Sequence, residues 1–268
     1  YAVIFEPFSA TLLQSCSEEF IRGLKELKKK YNFVIICDEV YCAWYKCGYF
    51  FYFQKFENFK PDILLLSKSL GGGKSSISAL ISNSKIYEKV YGSVENANLH
   101  TTTYNGFGEE CATAIEAINI MIEDNYEEKV KIIEKSLTSE LNEILKKNKS
   151  KIKKFQGSGS LWGIEFNSFI DGISSIIEKI PNETLEKKNT LIAKLCSASI
   201  CSELYSKFKI LTFVSESKNS NYLYIAPSLI VDQDQIKHFF SSLDKVINSN
   251  INLNLANYLV RSVLNLIR

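Results

Sequence analysis

The sequence predicts an α/β protein in two parts, a larger one built on a buried sheet and a smaller α+β one behind it. Short apolar runs of strand length occur at residues 2–5, 33–37, 63–66 and 77–81. A helical pattern at residues 18–30 separates the first two, with Phe20, Leu24 and Leu27 spaced to share a face. Apolar runs joined through a helix are the pattern of strands buried in a sheet. Longer helical periodicities follow at residues 109–122 and 127–146, the second carried by Val130, Ile133, Leu137, Leu141 and Ile144. Between residues 124 and 154 the composition turns to lysine and glutamate, as in an exposed helix leaving a core. The expected division is therefore residues 1–124, 125–250 and a terminal helix or tail at 251–268.

Within the smaller part the pattern predicts a strand at 161–166, a helix at 183–205, strands at 210–213 and 222–226, and a helix at 233–247. Residues 248–254 read as a polar linker. A last helix is expected at 255–267, with Leu255, Tyr258, Leu259, Val263 and Leu266 on one face. The lysine-rich stretch 146–154 reads as a solvated boundary. The chain opens inside an apolar strand pattern, so it is expected to be the C-terminal portion of a longer polypeptide.

Composition excludes several classes of function. A chain of 268 residues with 46% hydrophobic and 23% charged residues is ordinary for a soluble globular protein. A net charge of +2 gives no electrostatic reason for nucleic acid or an anionic membrane as partner. No apolar run approaches the ~20 residues that span a bilayer. Seven cysteines, an odd number without a pairing pattern, together with two histidines form no zinc-type ligand set, so no metal is expected. Reduced thiols in a cytoplasmic protein are the expected state.

Two segments carry chemistry. Asp38-Glu39-Val40 follows the apolar run 33–37, which places a carboxylate at the C-terminal end of a buried strand, where α/β folds bind ligands. A helix cap or a solvated loop acid would look the same from this tripeptide alone. Thirty residues after Asp38, the run 63–66 ends in Ser67-Lys68-Ser69-Leu70-Gly71-Gly72-Gly73. A lysine between a buried strand and a glycine run is expected to be partly desolvated, which favours a neutral amine able to attack an aldehyde. A surface turn is the alternative. Gly73-Lys74-Ser75 imitates the end of a phosphate-binding loop, but that motif needs glycine where Lys68 stands and a helix where residues 77–81 look strand-like.

Taken in order, Glu6-Pro7, Asp38-Glu39-Val40, Pro61-Asp62, Ser67-Lys68-Ser69-Leu70-Gly71-Gly72-Gly73 and His100-Thr101-Thr102-Thr103-Tyr104 resemble the class III pyridoxal-phosphate aminotransferases. Gly157-Ser158-Gly159, Gly163-Ile164-Glu165-Phe166 and Ala226-Pro227-Ser228-Leu229 extend the match, which looks nearest to the putrescine and ornithine aminotransferases. The resemblance implies a fold-type I pyridoxal-phosphate-dependent transferase: part of the large-domain mixed sheet with its helices, plus a small α+β C-terminal domain. It implies pyridoxal 5'-phosphate held by Lys68 as a Schiff base, with Lys68 then shuttling the proton. Asp38 would pair with the pyridinium nitrogen and Val40 would pack on one ring face. Tyr41 would stand where many members place a glutamine near the cofactor's phenolic oxygen. Thr103 would donate its hydroxyl to the phosphate across a homodimer interface. The partners implied are an amine donor, a 2-oxo acid or aldehyde acceptor, a second copy of the chain, and the family's N-terminal portion, which supplies the rest of the phosphate cradle. For His100 a structural loop role is expected rather than catalysis.

The departures concern the substrate. The family's carboxylate-gripping arginine falls at Tyr224, and the glutamate that often pairs with it falls at Thr11. Loss of both leaves no unpaired buried charge, so Thr11 and Tyr224 are substrate-pocket candidates with altered specificity. Lys46 and Gln156 replace family arginines, Ser75-Ser76 replaces a proline-containing segment, and Asn105-Gly106-Phe107-Gly108 replaces a Gly-Gly-Asn-Pro turn. Two alternatives remain open. One is another reaction of the same cofactor, namely decarboxylation, racemisation or carbon–carbon bond formation. The other is a catalytically impaired scaffold.

Overall fold

The computed structural model describes residues 1–167, 185–215, 221–250 and 253–258. The chain forms two compact units, one of Tyr1–Ala10 with Gln14–Val130, the other of Thr11–Leu13 with Lys131 onward.

The first unit begins with β1 (Ala2–Phe5), the two-residue strands β2 (Phe8–Ser9) and β3 (Gln14–Ser15), and helix α1 (Glu18–Tyr31). It continues with β4 (Val34–Asp38), β5 (Ile63–Leu66), β6 (Ala79–Ser82), α2 (Ser84–Tyr91) and α3 (Gly108–Glu123). Helix α4 (Tyr126–Lys147) contains the boundary between the units. The sheet runs β1-β4-β5-β6, with β1, β4 and β5 parallel and β6 antiparallel at the edge. A parallel β1–β4 pair needs a crossover, and α1 is that crossover.

Helix α1 has clear ends. The Ser17 side chain accepts the Phe20 N–H at 3.1 Å, Glu18 and Glu19 occupy the positive first turn, Lys28, Lys29 and Lys30 the last, and Asn32 ends it at φ 50°. The packed face differs from the expected one. Ile21 and Leu24 are buried, whereas Phe20 and Leu27 are exposed, and Phe20 meets Phe5 edge-on. The two spacings differ by a single helical position, which apolar periodicity alone does not separate. Asp62 fastens this layer to the sheet, because its carboxylate accepts the Ile35 N–H at 2.7 Å and pairs with the Lys28 ammonium. The fourth strand occupies Ala79–Ser82 rather than 77–81: the Ile77 carbonyl is taken by the Ser67 hydroxyl at 3.0 Å and lies outside the ladder. Helix α2, not anticipated, is capped by Asn83.

The second unit holds β7 (Ile152–Ser158), β8 (Leu161–Phe166), α5 (Leu185–Phe208), β9 (Tyr222–Ile225) and α6 (Gln233–Ile247). Its antiparallel sheet has the order β7-β8-β9. Leu137 and Leu141 of α4, Ile164 of β8, Leu204 of α5, Leu223 of β9 and Leu243 of α6 share one buried core. Asp232 and Gln235 form a capping box at the start of α6.

Two expectations for this unit change. Residues 152–154 open β7, with the Lys153 and Lys154 side chains exposed: Lys151, just before the strand, donates to the Ile247 carbonyl at 2.8 Å, and Lys153 pairs with Glu165 at 2.7 Å. Residues 210–213 form no regular strand. Lys209 takes φ 60° and the Ile210 N–H turns back to the Leu204 carbonyl, so pairing with β9 begins only where Tyr224 donates to Phe213 and Val214 bridges Leu223. Of the expected last helix, residues 253–258 are helical, and Leu255 is buried against Ile192 and Cys196; residues 259–267 lie outside the described ones, as do 183–184.

Leu141 is fully buried in the second core. Leu141→Ala therefore costs about 2–5 kcal/mol of stability, read as a lower denaturant midpoint with unchanged slope.

Candidate active site

The parallel pairing of β4 with β5 sets Cys37 opposite Leu64 and Asp38 opposite Leu65, and the Glu39 N–H continues the ladder to the Leu65 carbonyl at 3.0 Å. Asp38 and Ser67-Lys68 therefore leave the sheet at the same end, the end where α/β sheets bind ligands. Asp38 is half-buried, and one carboxylate oxygen accepts the Val40 N–H at 3.1 Å, which fixes the first step out of the strand.

Glu39 points into the protein. It is fully buried and accepts the Tyr52 N–H at 2.5 Å and the Phe53 N–H at 2.7 Å, capping the short turn Tyr52–Lys55. Burial raises its carboxyl from the ordinary 4.5 to about 7, outweighing the two N–H bonds that favour the ion. The Cys37 and Cys42 thiols are pushed well up, chiefly by burial and secondarily by the Glu39 charge. The Asp-Glu-Val motif marks its aspartate locally, whereas the glutamate's part in holding the loop leaves no local mark, since its partners are backbone groups thirteen and fourteen residues away.

The loop that Glu39 secures contains a strained turn. Trp44 and Tyr45 have φ of 60° and 61°, a conformation that disfavours residues with a Cβ, and the turn is closed by Trp44 N–H to Phe50 at 2.6 Å and Tyr45 N–H to Tyr49 at 2.9 Å. Trp44 is buried, with Phe50 and Phe51 edge-on at 5.0 and 5.4 Å. Beside it, burial lowers Lys46 to about 8.

Lys68 begins a one-turn 3-10 helix, Lys68–Gly71, and is itself in the left-handed region at φ 46°. Gly72 and Gly73 follow at φ 60° and 74°, and a Cβ on Gly72 would lie 2.9 Å from that of Ala117, so glycine lets this turn rest on α3. The expected partial desolvation of Lys68 is not found; the residue is exposed. The left-handed step carries it out beyond the end of β5. Its ammonium instead lies over the ring of half-buried Tyr41, 4.1 Å from the centroid.

The structure thus joins Asp38, Val40, Tyr41 and Lys68 at one sheet end. Thr103 is exposed on a separate turn, residues 103–106, and among the described residues hydrogen-bonds to none of them. His100 is also exposed. In the second unit, the Tyr224 hydroxyl donates to the Thr11 carbonyl at 3.3 Å, and the Tyr224 ring stacks on Phe213 at 4.5 Å. The two substrate-pocket candidates are therefore in contact. A groove of about 700 Å³ opens beside Tyr224, walled by Leu211, Phe213, Pro227, Ile230 and Phe239, with Asp232, Asp234 and His238 as its ionisable residues.

The donor set of the first unit fits a pyridine aldehyde carrying phosphate: an accessible primary amine, a carboxylate at the neighbouring strand end, and a glycine turn open at Gly73. Among the described residues no three His, Cys, Asp or Glu side chains are grouped to hold a metal ion, and no helix is long and apolar enough to cross a membrane.

The sequence matches the class-III aminotransferase family over residues 1–247, and the chain belongs to that family, whose members depend on pyridoxal phosphate. It is 29% identical over 233 residues to the acetylornithine/succinyldiaminopimelate aminotransferase of Buchnera aphidicola, covering 85% of this chain and 48% of that protein. The fold is similar to that of a Bacillus anthracis aminotransferase, with a TM-score of 0.74 at 22% identity over 93% of this chain and 52% of the other. It is also similar to the Plasmodium yoelii ornithine aminotransferase, with a TM-score of 0.70 at 23% identity, over 94% and 57%. The chain spans about half the length of the relatives it matches.

The Glu39 carboxyl gives a pH signature with a definite sign. Its folded value, about 7, lies above the ordinary 4.5, so the folded state binds the extra proton and stability falls as pH rises between these values. The contribution is fully present below about pH 4.5 and is lost through about pH 7, at most ~3 kcal/mol by linkage. The stability of the wild type relative to Glu39→Gln should fall by up to that amount from pH 4.5 to 8, measured by denaturation at each pH. A difference that stays constant with pH would contradict the titration of Glu39.

Proposed function

We propose that the protein is a pyridoxal-phosphate-dependent aminotransferase that moves an amino group from an amine donor to a 2-oxo acid or aldehyde. The observation that carries this reading is Lys68, an accessible amine held in a left-handed backbone conformation at the sheet end that also presents Asp38. Backbone strain of this kind persists where the surroundings impose it, and it gathers at functional sites.

When bound, the cofactor supplies a ring that takes up electrons released at the substrate carbon. Lys68 would hold the cofactor through its side-chain amine, and once free that amine would carry the proton released at the substrate carbon. Asp38 pairs with the ring nitrogen and keeps a proton there, so that the ring remains an acceptor. Val40 covers one ring face, Tyr41 lies beside the lysine, and the Thr103 hydroxyl donates to the phosphate of the neighbouring subunit's site in a homodimer. The same enzyme works in the cytoplasm, together with the N-terminal portion that completes the phosphate cradle.

A second reading keeps the cofactor and changes the reaction. It is motivated by Tyr224, which stands where the family's carboxylate-gripping arginine falls. Release of carbon dioxide without an amino-acceptor product would support it, and amino transfer from a panel of carboxylate-free amines would exclude it.

For the first reading, the full-length protein with pyridoxal phosphate should develop a visible absorbance band. Lys68→Ala should lose that band, together with the ~10²–10⁴-fold acceleration that a positioned proton carrier contributes. A band that persists unchanged in Lys68→Ala would contradict the assignment. Asp38→Asn should retain cofactor attachment to Lys68 while lowering kcat by at least about tenfold, measured in single-turnover and steady-state assays.

A further inference from the structure

The Tyr41 ring has a different relation to Lys68 from the one expected of a residue whose hydroxyl reaches the cofactor. Lys68 is exposed, yet its Nζ sits 4.1 Å from the centroid of the Tyr41 ring, the distance at which an ammonium is attracted to the negative face of an aromatic ring. Neither residue is free to drift. Tyr41 is half-buried on the loop leaving β4, and that loop is fixed at one end by the Asp38–Val40 contact and farther along by the buried Glu39 carboxylate on Tyr52 and Phe53. Lys68 is placed from its own side by β5 and by the left-handed turn that follows. The approach is therefore imposed by two strand ends that are hydrogen-bonded to each other.

We infer that Tyr41 is a positioning residue for Lys68: the face of its ring is the resting place of the lysine ammonium whenever that lysine is not bonded to the cofactor. This deepens the proposed function and rests on the reading of Lys68 as the cofactor-bearing amine. A lysine that has just accepted a proton is cationic and, without a resting place, samples many side-chain conformations in water. The ring face limits where the ammonium rests and so confines the proton it carries to the sheet end that presents Asp38. The ring, and not the hydroxyl, carries this role, so phenylalanine substitutes for tyrosine and an aliphatic residue does not.

The test begins on cofactor-free, full-length protein whose lysines have been converted to ¹³C-dimethyl-lysines, a change that keeps their charge. A Lys68→Arg variant identifies the Lys68 resonance by its disappearance. In the wild type the N-methyl protons of Lys68 should be shifted upfield of the other lysines by the ring beneath them. The shift should persist in Tyr41→Phe and vanish in Tyr41→Leu. An unshifted wild-type resonance overturns the inference outright, even if Tyr41→Leu fails to fold, and so does a shift that survives in folded Tyr41→Leu. On the loaded enzyme, Tyr41→Leu should lower kcat about threefold to tenfold with KM little changed, and by more than Tyr41→Phe does. A normal ring shift in a protein that takes up no pyridoxal phosphate would refute the proposed function while leaving the Tyr41–Lys68 contact standing.

Discussion

The hydrogen-bonded, parallel register between β4 and β5 is the constraint from which the candidate site follows. With Asp38 opposite Leu65 and the Glu39 N–H still bound to the Leu65 carbonyl, the two strands end within a residue or two of each other. A shift of one residue in that register would turn Asp38 to the other face of the sheet and exchange it with Glu39. The adjacent carboxylates have opposite destinations for this reason: Asp38 is half-buried at the sheet end, whereas Glu39 is sealed inside and holds the Tyr52–Lys55 turn. One side chain is available for chemistry because its neighbour secures the loop.

That loop is costly to build. Two consecutive left-handed residues with large side chains, Trp44 and Tyr45, and a lysine lowered to about 8 by burial would each be unfavourable alone. The aromatic contacts around Trp44 and the Glu39 cap offset them. The strained turn at Lys68 is supported differently, by the Gly72 approach to Ala117 and the Ser67 hydroxyl on Ile77. Strain on both sides of the β4–β5 end, each imposed by its own packing, is what a preorganised site looks like.

How much of this was legible in the sequence depended on the range of the interactions. Strands at 2–5 and 63–66 and the helix at 233–247 match the structure because their signals are local: apolar runs, and an aspartate–glutamine capping box. The placement of Asp38 and Lys68 at neighbouring strand ends is readable because strand ends and glycine turns leave marks in the sequence. What the sequence did not disclose was set by distant partners. Glu39 finds backbone N–H groups across a loop, the lysine-rich stretch is recruited into β7 by Glu165 and the end of α6, and Lys68 is exposed over a ring because its own backbone turns outward. Thr103 lies exposed on a turn of its own, and the role expected for it concerns a second copy of the chain.

Lys68, at the end of β5 and at the same sheet end as Asp38, is the amine proposed to bear the cofactor. The most direct measurement is borohydride reduction of the full-length protein incubated with pyridoxal phosphate, followed by proteolysis and mass spectrometry of the lysine-containing peptides. A single predominant phosphopyridoxyl adduct on Lys68 is expected. An adduct predominantly on Lys46 or another lysine, or scattered labelling with no preference for Lys68, would contradict it.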